Sequence, residues 1–206
     1  STEWVEQLRE EITEKAIAYV NADMAAGGPN FGSASAPALK RPIIEATKAV
    51  AYPGSDQTVY EHWRKDAEEP SLGNLGGGSD HIPFYMHVGV PSAGMTMSAF
   101  SPYHTNYDDF AWYERFSDPE FPAGPTVACI NGVLASRLAN ADVIPYDLPR
   151  YATDLDTHID ALVTAAEGKG MSADIGALVP GNANPFKRVE NRPFRRRCGT
   201  GLVGIL

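Results

Sequence analysis

The sequence predicts an α/β fold, a partial α/β/α layer followed by a helical hairpin. Three observations carry this. Two apolar runs, at residues 16–23 and 88–97, are too short for globular helices and read as buried strands, the first of them parallel. Segments 3–14, 37–50 and 58–64 read as helices, most plainly 3–14 and 58–64 with their amphipathic spacing. From Pro119 onward no strand pattern survives, and 125–140 and 147–167 read as two helices, with Pro145 and Pro149 at the join.

The composition sets bounds. With 206 residues and 43% hydrophobic content, the chain can bury a core in one or two domains. A net charge of −9 argues against nucleic acid as the main partner. The charge is uneven: residues 187–206 hold six Lys/Arg against Glu190 alone, and residues 1–186 hold 11 basic and 25 acidic residues. No apolar run approaches the length of a membrane span. Two cysteines, Cys129 and Cys198, make neither a disulfide framework nor a metal knuckle, and Cys129 reads as a small core residue of a helix.

Taken in order, residues 3–14 put Trp4, Val5, Leu8 and Ile12 on one face. Glu3 and Glu6 suit the positive end of that helix. The run at 16–23 ends on Asp23. Chemistry gathers at the carboxyl ends of strands in open α/β sheets, which makes Asp23 a candidate ligand, with a turn cap as the alternative. Residues 31–36 read as a loop of small residues, and Pro37 suits the first turn of the next helix. His62, in the 58–64 helix, sits among charges and reads as surface.

The glycines at 76–78 are followed by no Lys-Ser/Thr, so they form no phosphate loop; they allow close backbone approach instead. Ser79 reads as the cap of a turn through His81, Phe84 and His87, and the two histidines lack the spacing of a helical metal pair. The run at 88–97 leads to Tyr103 and His104. A histidine on a loop just after a buried strand, beside a phenol and carboxylates, is a reasonable metal ligand. Asp108 and Asp109 start the next helix, with Phe110, Trp112, Tyr113 and Phe116 expected to pack inward. In the last two helices, the stripes Val127, Ile130, Leu134, Leu138 and Leu155, Ile159, Leu162, Val163 read as bundle or partner surface.

Three blocks, residues 1–23 (STEW to AYVNAD), 75–92 (LGGGSDHIPFYMHVGVPS) and 102–121 (PYHTNYDDFAWYERFSDPEF), resemble the M28 zinc peptidases of the glutamate carboxypeptidase II and transferrin receptor group. A weaker block, 138–155, resembles the start of that group's helical dimerisation domain, and the likeness covers roughly 1–178. It implies a co-catalytic di-zinc exopeptidase, with Asp23 holding one zinc and His104 the other. Tyr103 would hydrogen-bond the substrate at the tetrahedral centre, and Gly78 and Ser79 would line the substrate cleft. Glu3 and Glu6 match a pair belonging to a structural calcium site.

The resemblance also implies that the other zinc ligands and the general base lie upstream of Ser1, so the chain is expected to be a fragment, inactive alone. It divides the chain into 1–121, the C-terminal portion of a peptidase domain, 122–178, the start of a dimerisation domain, and 179–206, an atypical basic tail given no function. Partners would be a peptide substrate and a second copy of the chain, and an extracytoplasmic or membrane-anchored place is suggested by the resemblance alone. The segments 94–97 and 31–34 carry no Arg, so small or apolar peptides are expected rather than acidic dipeptides. Two other readings stay open: a glutaminyl cyclase of the same fold, and a non-catalytic module like the transferrin receptor branch.

Overall fold

A computed structural model of the chain describes residues 1–169. The elements run α1 (Thr2–Gln7), α2 (Arg9–Lys15), β1 (Tyr19–Asn21), β2 (Ala26–Gly27), β3 (Asn30–Ser35), α3 (Pro37–Thr47), α4 (Val59–Arg64), β4 (Ser92–Ser98), α5 (Phe110–Trp112), α6 (Ala123–Asn140) and α7 (Arg150–Glu167), with π-helical turns at Pro83–His87 and Tyr113–Ser117. The α/β class expected from the sequence is the one observed.

Strand β4 is the spine. On one side it pairs in parallel with β1 (Asn21 opposite Gly94) and with β2 (Ala26 opposite Met97); on the other it pairs antiparallel with β3 (Phe31 opposite Met97, Ser35 opposite Ala93). The segment 31–36, expected as a loop, is therefore a strand. Its small residues have low strand preference, and the ladder to β4 supplies what local propensity does not. Along β4, Ala93, Met95 and Met97 alternate inward to a core completed by Phe31, Leu39, Ile43, Val59, Val127, Ile130 and Leu134. A second, smaller cluster of Val5, Ile12, Phe84 and Val90 seats α1 and α2.

Helix α6 belongs to the first core: Val127, Ile130, Leu134 and Leu138 are buried there and face α3 and the sheet, not a separate bundle. Helix α7 also docks on α3, so the expected hairpin is two helices sharing a third. No residue of α7 is buried, and Leu155 and Leu162 are exposed. Cys129, one position before Ile130 and so about 100° away from its face, is exposed rather than core.

The docking uses an interior proline. Pro42 has no N–H to give the carbonyl of Ala38, and that carbonyl accepts instead from the backbone N–H of Asp147 at 2.9 Å. Beside it, buried Lys40 pairs with Asp154 at 2.6 Å, and Arg150 bridges Asp154 at 3.0 Å and Glu69 at 2.6 Å.

The aromatic set after His104 does not pack inward. Phe110 and Phe116 are exposed, while Trp112 and Tyr113 are half-buried. Helix α5 is a single turn that passes into the π-turn 113–117. Its wider winding breaks the 3.6-residue register on which an inward face depends. The rings pack on one another at a tilt instead, with Trp112 against Phe116 at 4.8 Å and Tyr113 against Phe121 at 5.5 Å.

Candidate active site

Because β1 and β4 are parallel neighbours, the chain leaves both at the same end of the sheet. Asp23 stands two residues after β1 and His104 six residues after β4. Both side chains are exposed. The backbone turns left-handed at Met24 (φ 49°) and at His104 (φ 60°). The first turn is fastened to β4, where Thr96 Oγ1 donates to the carbonyl of Met24 at 2.6 Å and the N–H of Met97 to that of Ala25 at 2.8 Å.

Facing Asp23 is the loop of residues 76–80. Gly78 has φ +93° with open space where a Cβ would stand, so the left-handed backbone, not crowding, is what requires glycine. Ser79 does not cap the following turn as expected. Its Oγ accepts from Asn21 Nδ2 at 2.8 Å and donates to Asp23 Oδ2 at 2.7 Å. Tyr19 donates to Asn21 Oδ1 at 3.4 Å and stacks on Phe84, the ring centres 4.0 Å apart. Burial raises the Tyr19 phenol above its usual range, and the nearby Asp80 carboxylate adds to that. Together Trp4, Tyr19, Asn21, Asp23, Gly78, Ser79, Asp80 and Phe84 line a cleft of about 590 Å³, a size suited to a small ligand.

Of the residues singled out from the sequence, the cleft gathers Asp23, Gly78 and Ser79. Tyr103 and His104 lie outside its lining; their rings stack at 3.7 Å on a loop held by Thr105, whose Oγ1 donates to the carbonyl of Pro102. Asp109, not Asp108, caps α5, accepting from the N–H of Trp112 at 2.8 Å. Glu3 and Glu6 are exposed on α1. His81 is buried, its Nε2 2.8 Å from the carbonyl of Gly76, in keeping with a structural role. Sequence reading missed Tyr19 and Asn21. Their signal was present, because positions 19, 21 and 23 of an extended chain share one face.

Oxygen from Asp23 and nitrogen from His104 are donor types that zinc takes. Among the described residues, however, no group of three or more His, Cys, Asp or Glu could hold an ion. The described residues fit zinc as contributors of donors rather than as a closed set.

The parallel pair β1 and β4 thus delivers the chain toward Asp23 and toward His104 from the same end of the sheet. The chain matches the model of peptidase family M28 over residues 1–116, and it belongs to that family. It is 38% identical over 182 residues to the "Probable glutamate carboxypeptidase LAMP1" of Arabidopsis thaliana, covering 87% of this chain and 26% of the relative. It is 28% identical to the mouse "Aminopeptidase NAALADL1" over 207 residues, covering 89% and 28%. With the yeast "Vacuolar protein sorting-associated protein 70" it shares 28% identity over 158 residues, covering 73% and 19%. The chain thus spans about a quarter of the length of the curated relatives it matches.

Proposed function

We propose that this chain is part of a zinc-dependent M28 exopeptidase in which Asp23 and His104 each hold one of two zinc ions. The supporting observation is that both follow parallel neighbouring strands at one end of the sheet, inside the family-matched span. Zinc there would activate a water and polarise the scissile carbonyl. Tyr103, adjacent to His104, is the phenol that would hydrogen-bond the developing oxyanion. The cleft between Asp23 and the 76–80 loop takes the peptide. Among the described residues its lining includes Asp23 and Asp80 and no Lys or Arg side chain, which favours small or apolar peptides over acidic ones.

The remaining donors and the base come from outside this chain, so the chain alone is inactive. A calcium ion at Glu3 and Glu6 belongs to the same reading; the two sit three apart on α1, on one face. The half-exposed stripe Leu155, Ile159, Leu162, Val163 on α7 is the surface for a second copy.

Zinc titration of the chain and of Asp23→Ala and His104→Ala tests the reading, together with a peptidase assay. Each variant is expected to bind zinc more weakly, with no turnover by the chain alone. Unchanged zinc binding in both variants, or robust zinc-dependent turnover by the isolated chain, would sink it. The yeast relative named for vacuolar sorting motivates a second reading, a non-catalytic sorting module, which the first of those outcomes would favour.

A further inference from the structure

We infer that Ser79 and Asn21 are positioning residues that hold the Asp23 carboxylate by one oxygen and leave the other to a metal. The inference rests on the reading of Asp23 as a zinc donor.

The direction of every proton follows from the end of the chain of contacts. A carboxylate can only accept, so the 2.7 Å contact makes Ser79 Oγ the donor to Asp23 Oδ2. With its one proton committed, Ser79 must accept in its contact with Asn21, which turns the Nδ2 of the amide toward it at 2.8 Å. The amide oxygen then faces Tyr19, whose hydroxyl donates to it at 3.4 Å. Each donor thus points toward Asp23, and hydrogen bonds aligned this way polarise one another.

Asn21 is 8% exposed, and Tyr19 is stacked on Phe84, so the relay starts from fixed groups and ends on an exposed one. Asp23 Oδ1 has no protein partner among the described residues. A ligand held this way presents one oxygen in a set direction, as partners behind a metal donor do. The hydroxyl of Ser79 cannot donate to a substrate while it donates to Asp23, so its part in the cleft is to aim its neighbour.

The test uses the 206-residue chain, isotope-labelled, with Ser79→Ala, Ser79→Thr, Asn21→Ala and Asp23→Ala. Three-bond couplings to the Asp23 carboxyl carbon report its χ1 distribution, and competition with a chromophoric chelator reports zinc affinity. Wild type and Ser79→Thr are expected to hold one rotamer. Ser79→Ala should average among staggered wells and lose roughly 10-fold or more in zinc affinity, with Asn21→Ala between them. A single Asp23 rotamer in folded Ser79→Ala overturns the inference whatever zinc does. Rotamer averaging in Ser79→Ala with zinc affinity unchanged in it, while Asp23→Ala loses zinc, overturns the metal role of the relay alone. Unchanged zinc affinity in Asp23→Ala overturns the zinc reading of Asp23 itself, and the metal role of the relay with it.

Discussion

The ammonium of Lys40 lies 2.6 Å from Oδ2 of Asp154, with the two side chains only 4% and 12% exposed. Lys40 also donates to Asn74 Oδ1 at 3.0 Å, and Asp154 receives Arg150 at 3.0 Å. A pair this buried gains little over an apolar replacement, because desolvation offsets the attraction, yet losing one partner strands a charge. Asp154→Leu alone, which leaves the Lys40 ammonium with Asn74 and no carboxylate, should cost about 3 to 5 kcal/mol. Lys40→Met with Asp154→Leu should recover most of it. Chemical denaturation of the two variants reads the difference, and an equal loss in both would show that the pair acts through shape.

Pro42 and Asp147 are coupled through one carbonyl. In Pro42→Ala a new N–H competes with Asp147 for Ala38, sharing a hydrogen bond worth ~1 kcal/mol. Exchange of the Asp147 amide with solvent deuterium should quicken roughly fivefold, as that energy implies. Exchange within α3 should slow. If Asp147 keeps its protection, the connector before α7 is held by something other than this bond.

Much of this was legible in the sequence because it is local. The run 58–64 begins with Thr58 and Glu61, and the structure shows both halves of a capping box there. The strands ending near Asp23 and His104 were readable because buried parallel strands are continuous apolar runs. What escaped was non-local. Strand β3 exists through its ladder to β4, and the exposure of Phe110 and Phe116 follows from a π-turn that no spacing rule announces. Ser79 was misjudged for the same reason, since its partners Asn21 and Asp23 are 58 and 56 residues away.

The capping box carries a pH dependence. Hydrogen bonds from the Thr58 backbone N–H and then its hydroxyl hold the Glu61 carboxyl below its ordinary value of 4.5. The folded state therefore binds this proton less readily than the unfolded chain. The cap's contribution is full above the ordinary glutamate range and is lost as pH falls through the lowered folded value. Glu61→Gln should remove that acid-side slope while leaving the cap from the Glu61 N–H to the Thr58 hydroxyl in place. The check is the melting temperature of both proteins across the acid range; an unaltered slope would place it on another carboxylate.

Tyr19 titrates in the opposite sense. Its phenol is raised above 10.0 by burial first and by the Asp80 charge second, so the folded state keeps the proton longer. The associated stability is present below the unfolded value and is lost as pH rises through the folded one. Absorbance near the phenolate band, with Tyr19→Phe subtracted, should place the midpoint above that of free tyrosine. Asp80→Asn should bring it part of the way down, leaving the share due to burial. No movement in Asp80→Asn would mean that the carboxylate does not reach across the cleft.

Gly28 links the two sides of the sheet at the foot of the histidine loop. It sits between β2 and β3 with φ +149°, and a Cβ built on it would stand 2.4 Å from the Cβ of Ala99, 2.7 Å from its nitrogen and 2.8 Å from the carbonyl carbon of Ser98. Backbone cannot yield as a flexible side chain can. Gly28→Ala should therefore cost roughly 1 to 3 kcal/mol in backbone strain or shift the chain at 98–99. That chain runs on to Tyr103 and His104, so the relief of strain and the placing of the imidazole are linked. Chemical-shift changes in Gly28→Ala should extend from 97 through 104 while α7 stays unmoved. Changes confined to residues 26–30, with full stability, would show that the turn absorbs the methyl and that His104 is placed independently of it.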